Sequence, residues 1–390
     1  MSVAASPDAH EQIPRVLNNY MASKTGLRRT KSVSAPKRKA GLREIASAAN
    51  VSIATASRVL NGNNKVDPAI RKAVWREAEK LGIDPSQRNK NKTLAFLLSN
   101  RAMLHAFHSR ILSGVEAQCA ANGWDMIYLS YNYPAHIPWT DLHLPKVVQR
   151  YDLIRAVILA GTNSTNLLKL LGHKKIPFVV LGNNVFGDQQ ELKNQDVVFV
   201  DDIQGGLDAT RYLIGLGHRH ICFVGNTRLP WFARCFEGYE RAMNENHLVP
   251  LQSSTDSADD AESGYLGTKS LLARDEPFTA ILAGNDSTAH GVYKALHERG
   301  LRIPHDVSVV GCDDTVGTLL SPALSSTREF PEQLGKQLVE LALNRISKPD
   351  QEPQRVTIPT EFVKRDSCAP PSAHSASAKF KNGMQRVTTG

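Results

Sequence analysis

Cysteine is scarce in this sequence and is placed where it supports neither a disulfide framework nor a metal site. The five cysteines are odd in number and widely separated: Cys119, Cys222, Cys235, Cys312 and Cys368. No two of them form a Cys-x-x-Cys motif, and none stands at metal-ligand spacing from a histidine. We therefore predict a chain that works in the reducing cytoplasm without a structural metal ion or a cofactor.

Long apolar runs and known catalytic motifs are also missing. No apolar stretch approaches the roughly 20 residues of a membrane-spanning helix, and the amino terminus lacks the apolar core of a secretion signal. There is no Gly-x-Ser-x-Gly elbow, and residues 264–270 have the wrong spacing for a phosphate-binding loop. His105 and His108 are closely spaced and have no carboxylate near them in the sequence. We therefore expect no membrane association and no catalytic residues.

Positive charge is present in excess, but only near the amino terminus. The formal net charge is +9. The first 92 residues hold 18 Lys and Arg against 7 Asp and Glu, whereas the remaining residues hold 29 against 31. This balance is expected of a nucleic-acid-binding module on a neutral carrier. A basic disordered tail on an unrelated protein would give the same balance, so charge alone leaves both interpretations open.

Composition divides the 390 residues into five segments. Residues 1–40 are rich in Ser, Ala, Pro and basic side chains, which predicts a disordered basic arm. Residues 41–83 show helical periodicity, residues 84–92 form a short polar linker, and residues 93–368 carry the larger apolar content. Residues 369–390 resemble the arm in composition and are predicted to be a disordered tail.

Three short amphipathic helices are predicted within residues 42–81. Ser52 can cap the second helix, and Asp67 followed by Pro68 can start the third. Asn50 tolerates the left-handed backbone that a tight turn between the first two helices requires. This arrangement predicts a helix-turn-helix headpiece.

From Thr93 onward, short apolar runs alternate with helical stretches, which is typical of parallel sheets wrapped by helices. Eight strands are predicted: Leu94–Leu98, Asp125–Leu129, Ala156–Leu159, Phe178–Leu181, Val197–Val200, Ile221–Val224, Ala280–Ala283 and Val307–Val310. This is more than one small sheet needs. Two doubly wound lobes that face a cleft are the economical arrangement.

Motifs in both parts of the chain occur in the order found in one known family. The headpiece carries Val51-Ser-x-Ala-Thr-x-Ser-Arg-Val-Leu-Asn61, and the larger part carries Gly114-Val-Glu116, Gly217-His-Arg-His-Ile221, Glu237-Gly-Tyr239, Ala283-Gly-Asn-Asp286 and Val309-Val-Gly-Cys-Asp-Asp314. Together they resemble the lactose/galactose repressor family over about residues 41–368. The resemblance implies an α/β protein, with an all-α headpiece before a two-lobed, periplasmic-binding-protein-like core of two doubly wound parallel sheets. The chain is expected to cross between the lobes near residues 200 and 326.

The second predicted helix has a polar side that suits the major groove of DNA. Arg58 can donate two hydrogen bonds to guanine, and Ile53 and Ala54 offer apolar surface to thymine methyl groups. The candidates for phosphate contacts are Ser52, Thr55, Ser57, Asn61 and Lys65. A solvated helix face with an incidental arginine is the simpler alternative.

In the core, the resemblance places six residues around the interlobe cleft: Phe107, His108, Trp231, Arg234, Asn285 and Asp313. Phe107 and His108 are expected on a loop after the first strand, and Trp231 and Arg234 on a second loop. Such side chains suit a small polar, sugar-like effector, because oxygens accept from hydroxyls and an aromatic face covers an apolar ring surface. The alternatives are a core role for Trp231 and a turn role for Asp313.

Three positions depart from the family pattern. Cys235 stands where the family usually has an arginine, with Arg234 one place earlier, so the side chain that enters the cleft stays open. Asp259 lies near the position of a stacking aromatic, and Gly182 stands where an acidic residue is common. The site is therefore expected at the family's location but with a different ligand.

The resemblance implies a transcription regulator, a homodimeric repressor whose affinity for a double-stranded DNA operator changes when the effector binds. An intracellular solute-binding protein without gene regulation is the alternative. In the family that the chain resembles, a leucine of the linker wedges into the minor groove. The linker here, residues 84–92, is short and has no leucine before Leu94, so we predict little central kinking of the operator and strong reliance on charge.

Overall fold

The computed structural model describes residues 41–60, 66–81, 92–102, 105–257, 259–274 and 276–372. The chain divides into two compact units, one up to Pro85 and one from Ser86 onward. The described part of the first unit is helical, and the second is built from alternating strands and helices. The predicted α/β class, with a helical headpiece, is confirmed.

Three short helices form the first unit: α1 (Leu42–Ala48), α2 (Ile53–Leu60) and α3 (Pro68–Lys80). Asn50 adopts a left-handed φ of 51° between α1 and α2, and asparagine tolerates that conformation better than most residues. Asp67 caps α3 by accepting hydrogen bonds from the backbone N–H groups of Ala69 and Ile70. The helices share one apolar core, formed by Ile45, Ala46, Ala56, Val59, Leu60, Val74 and Ala78.

The first lobe of the second unit, called the N-lobe here, contains a six-stranded sheet. Its strands are β1 (Thr93–Ser99), β2 (Asp125–Tyr131), β3 (Ala156–Gly161), β5 (Phe178–Leu181), β7 (Asp196–Val200) and β13 (Arg355–Ile358). They are all parallel, in the order β13-β7-β5-β3-β1-β2. Apolar clusters lie on both faces, against α4 (Ala106–Ala121), α5 (Thr165–His173) and α10 (Pro331–Ser347). In the same lobe, β4 (Asn163–Ser164) and β6 (Val185–Phe186) form a separate two-stranded parallel sheet.

The second lobe, the C-lobe, repeats this plan. Its strands are β8 (Ile221–Val224), β9 (Leu251–Ser253), β10 (Ala280–Ala283), β11 (Ser308–Asp313), β12 (Ser325–Arg328) and β14 (Glu361–Val363). The order is β14-β12-β11-β10-β8-β9, and only β14 runs antiparallel to its neighbour. The covering helices are α6 (Asp202–Gly215), α7 (Pro230–Glu245), α8 (Asp260–Ala273) and α9 (Asp286–Glu298).

The chain passes between the lobes three times. The passages follow β7, β12 and β13, so α10 and β13 return to the N-lobe before β14 completes the C-lobe sheet. Two passages were expected from the sequence, near residues 200 and 326. The third, between β13 and β14, was not predicted because these strands are short and partly polar.

Glycines of two family motifs lie where helices cross closely. A Cβ on Gly114 of α4 would lie 2.1 Å from the carbonyl oxygen of Glu332 on α10. A Cβ on Gly238 of α7 would lie 2.0 Å from the carbonyl oxygen of Ile203 on α6. Both distances are shorter than any van der Waals contact, so these crossings require a residue without a side chain.

Candidate functional site: a helix surface and an interlobe cleft

The solvent side of α2 carries the residues predicted to contact DNA. The exposed ones are Ser52, Ile53, Ala54 and Arg58. The half-buried ones are Thr55 and Ser57. Ser52 Oγ accepts a hydrogen bond from the Thr55 backbone N–H at 3.0 Å, as predicted for the helix cap. Ile53 remains 48% exposed although it is apolar. Asn61, Lys65 and linker residues 84–91 lie outside the described residues.

Polar side chains from both lobes converge on a cavity of about 40 Å³. Its lining includes five of the six predicted ligand-site residues: Phe107, His108, Trp231, Asn285 and Asp313. The cavity is much smaller than the roughly 300–1,000 Å³ of ordinary ligand pockets. The lobes are therefore closed on their own side chains.

The two predicted loops are instead helix starts. Phe107 and His108 lie in the first turn of α4, and Trp231 and Arg234 lie in the first turns of α7. Pro230 at the first position of α7 favours a helix start, because its fixed φ is compatible with the helix and its missing N–H costs nothing there. The four side chains are consequently held by helical backbone, not by mobile loops.

Arg234 does not line the cavity, which corrects the expectation for this residue. Its Nε donates to Asp202 Oδ1 at 2.6 Å, while Asn183 Nδ2 donates to Asp202 Oδ2 at 2.8 Å. Burial raises the pKa of Asp202 to about 6, although Arg234 and Asn183 both favour its charged form. Asp202 itself lines the cavity, so Arg234 acts through a carboxylate that it holds in place.

The neighbourhood of His105 also differs from the sequence-based expectation. His105 Nε2 lies 3.1 Å from Asp260 Oδ2, although 155 positions separate the two residues. His108 contacts His105 at 3.4 Å and Asn184 Nδ2 at 3.3 Å. Burial, then the neighbouring charges of His105 and Arg101, lower the pKa of His108 well below its ordinary value. His108 is therefore a neutral hydrogen-bonding group in the cleft wall.

Two carboxyl groups of the C-lobe face the cavity from adjacent strand ends. Asp313 is the last residue of β11 and pairs with Arg328, the last residue of β12. Glu329 follows Arg328 directly, and both Asp313 and Glu329 line the cavity. Asp313 Oδ1 accepts hydrogen bonds from the Thr315 backbone at 3.0 Å and from its hydroxyl at 2.6 Å. Burial, reinforced by the charge of Asp286, raises the pKa of Asp313 well above its ordinary value. These groups offer oxygens to a ligand that brings hydrogen-bond donors.

The three departures from the family pattern have physical explanations. Cys235 is buried, and its Sγ lies 3.3 Å from Cys312 Sγ instead of reaching the cleft. Asp259 caps α8 by accepting from the Glu262 backbone N–H at 2.8 Å. A Cβ on Gly182 would lie 2.4 Å from the Phe199 ring, so an acidic side chain has no room there.

Several cavity residues were not predicted: Arg101, His105, Asn183, Asn184, Asp202 and Glu329. All but His105 come within three residues of the carboxyl end of a strand. In doubly wound folds ligands bind outside those strand ends, so polarity just after each strand was an available signal. A larger hollow of about 470 Å³ lies instead where β3, β5 and β7 begin, at the opposite end of the N-lobe sheet.

Comparisons with known proteins agree with both parts of the chain. Residues 41–86 match bacterial regulatory proteins of the lacI family, and residues 210–368 match a periplasmic binding protein-like domain. The chain is 30% identical over 337 residues to the ribose operon repressor of Haemophilus influenzae, covering 84% of this chain and 98% of that protein. It is also 30% identical over 346 residues to the transcriptional repressor PurR of Klebsiella pneumoniae, covering 85% and 97%.

Solved structures show the same architecture. A cellobiose complex of the transcriptional regulator CelR superposes with a TM-score of 0.62 at 26% identity, over 84% of this chain and 99% of that one. A ribose-bound LacI family regulator from Enterococcus faecium gives 0.61 at 26% identity, over 72% and 100%. Among the residues described, no helix is long and apolar enough to cross a membrane. The chain belongs to the lacI family of bacterial regulatory proteins and is a DNA-binding transcription regulator.

Proposed function

We propose that this protein represses transcription by binding a DNA operator through α2, and that a small polar, sugar-like effector bound between the lobes changes its operator affinity. The observation that carries the proposal is the cleft, where five separately predicted residues line one cavity with further strand-end polar groups. Relatives of the chain include a ribose operon repressor, and similar structures hold ribose or cellobiose.

The DNA-contacting residues of this proposal are Ser52, Ile53, Ala54, Thr55, Ser57, Arg58, Asn61 and Lys65. The effector-contacting residues are Phe107, His108, Trp231, Asn285 and Asp313, with Arg234 positioning Asp202. An effector that makes contacts to both lobes binds one lobe orientation more tightly than another, and this difference shifts the population. In a homodimer, that shift alters the spacing of two headpieces on one operator.

The same proposal makes the protein a regulator without enzymatic activity that acts in the cytoplasm, where its DNA lies. A solute-binding protein without gene regulation is the competing function. Gel retardation separates the two, because only a regulator prefers a specific DNA site over random DNA.

The test combines gel retardation with a ligand screen. We expect the purified full chain to retard its own promoter region at nanomolar concentration, well below the concentration that retards random DNA. A thermal-shift screen of sugars and nucleobases identifies the effector, because a ligand that binds only the folded state raises the melting temperature. The identified effector should then change the retardation. Equal binding of promoter and random DNA contradicts the proposal.

A further inference from the structure

One side chain of the N-lobe fills part of the C-lobe wall of the cleft. Arg101 lies two residues after β1, and its guanidinium carbon lies 4.5 Å from the ring centroid of Trp231 on α7. Its Nη2 lies 3.6 Å from Asp260 Oδ2 at the start of α8. The side chain is only 12% exposed. A largely enclosed cation therefore spans the two lobes.

Asp260 is held by both lobes at once. Its Oδ2 accepts a hydrogen bond from Asn285 Nδ2 of the C-lobe at 2.9 Å and lies 3.1 Å from His105 Nε2 of the N-lobe. Its side chain is 3% exposed. Burial alone would raise the pKa of Asp260, but the bond from His105 and the charge of Arg101 outweigh it and lower the pKa. The carboxylate is therefore charged, and Arg101 is one of the groups that stabilise the charge.

The guanidinium of Arg101 makes few hydrogen bonds with the described residues around Trp231 and Asp260. Its Nε is buried and has no hydrogen-bond partner among the described residues, and 3.6 Å to Asp260 is too long for a hydrogen bond. Arg234, by contrast, donates to Asp202 at 2.6 Å. Within the part of the chain that the structure describes, the position of Arg101 thus depends on charge and on the face of Trp231, not on fixed hydrogen bonds.

We propose that Trp231, Asp260 and Asn285 form a cation subsite of the cleft, suited to a guanidinium or a similar planar organic cation, and that Arg101 occupies it from within. This inference rests on the proposed function, because it takes the cleft as the effector site, and it adds a chemical class of effector. Because Arg101 fills the subsite, the lobes close around a cavity of about 40 Å³. An effector with its own planar cation displaces Arg101, and an effector without one binds beside it.

Chemical rescue tests the subsite in the full chain. Arg101→Ala removes the internal cation, and ethylguanidinium at millimolar concentration replaces it. We expect Arg101→Ala to melt at a lower temperature than the wild type, and ethylguanidinium to raise that temperature saturably by about 2–4 °C. Ethylammonium at equal concentration is the control for ionic strength. Ethylguanidinium should not raise the melting temperature of the wild type or of the double variant Arg101→Ala/Trp231→Leu.

Two results overturn the subsite: no rise in Arg101→Ala, or an equal rise in the double variant. If Arg101→Ala is insoluble, a double-mutant cycle of Arg101→Gln and Trp231→Leu replaces the rescue. The inference then requires that the two substitutions together lower the melting temperature by less than the sum of their separate effects, and additive losses refute it. Promoter retardation by the wild type involves no added cation, so failure of the subsite and failure of the proposed function are separate results.

Discussion

Arg58 is the exposed cation of α2, and its replacement separates sequence recognition from charge. We expect Arg58→Ala to lose about 1–3 kcal/mol of preference for the operator over random DNA, because a two-bond contact to guanine is removed while phosphate contacts persist. Gel retardation on both DNAs measures the ratio. Arg76→Ala, which removes an exposed arginine of α3, is the control and should keep the wild-type ratio. An unchanged ratio in Arg58→Ala would show that Arg58 does not contact bases.

Asp313 offers to the cavity, from a strained position, a carboxyl group whose burial favours the protonated form. Its φ is 87°, which asparagine also tolerates, and the hydrogen bonds from Thr315 to Oδ1 survive in Asp313→Asn. We expect Asp313→Asn to melt like the wild type and to bind the operator normally, but to lose most of its response to the effector found by screening. Calorimetry measures the effector affinity, and Asp259→Asn, outside the cavity, is the control. Normal affinity in Asp313→Asn would place the site elsewhere.

Glu329 gives the folded chain a specific pH dependence. Burial, then the charges of Asp202 and Asp286, raises its pKa from 4.5 to about 8. The folded chain therefore keeps a proton that the unfolded chain loses, and this stabilisation is full below pH 4.5 and is lost as the pH rises through 8. We expect the difference in melting temperature, Glu329→Gln minus wild type, to increase from pH 5 to pH 9. A difference that is constant over this range would contradict the raised pKa.

At the scale of elements, the strands with long apolar runs were predictable and the short or polar strands were not. All eight predicted strands are present. All of them except β2 are buried along their whole length, and a strand buried on both faces must be mostly apolar. By contrast, β12 has the sequence Ser-Ser-Thr-Arg and is nonetheless buried. Ser326 donates to Asp286 at 2.6 Å, and the Ser325 backbone donates to Ser367 at 2.8 Å. Partners so distant in sequence are invisible to a local pattern.

Five core helices begin earlier than the periodicity of the sequence predicts, whereas α10 begins at Pro331 as predicted. The predicted ranges of the five are Ile111–Ala121, Ala209–Leu216, Glu237–Asn246, Gly264–Leu272 and Ala289–Arg299. The apolar pattern of α6 becomes clear at Ala209, but the helix starts at Asp202, because Asp201 caps it by accepting from the Gln204 backbone N–H. The same shift in α4 and α7 turns predicted loops into helix starts. The location of the candidate site was predicted from the family resemblance, and five of the six predicted residues line the cavity. Its internal bonds were not, since His105 and Asp260 meet only after both lobes fold.

For the whole molecule, the uneven charge predicts how operator binding responds to salt. Deleting residues 1–40 should lower the slope of log affinity against log salt by about 0.9 for each phosphate contact that the arm makes. Affinities measured from low to moderate salt, for the full chain and the deletion, give the two slopes. Replacing the basic residues of the arm by glutamine is the matched control for length. Equal slopes would mean that the arm makes no phosphate contacts.

The short linker carries a second prediction for the complex. Residues 84–92 have no leucine to wedge into a base step, so we expect the operator to be bound with little central bending. A circular-permutation gel assay with the full chain measures the bend. A sharp kink at the operator centre would contradict the expectation, because some side chain must then unstack the bases.

The triple passage between the lobes affects how the protein is made. The N-lobe sheet includes β13, and α10 packs on it, so the first lobe to leave the ribosome lacks a strand and a helix until residue 358 has been synthesised. A nonsense mutation between residues 330 and 354 would spare every residue of the cleft and still leave both sheets unfinished. Neither sheet is therefore complete before β13 and β14 have been synthesised, and the nascent chain exposes apolar strand edges until then.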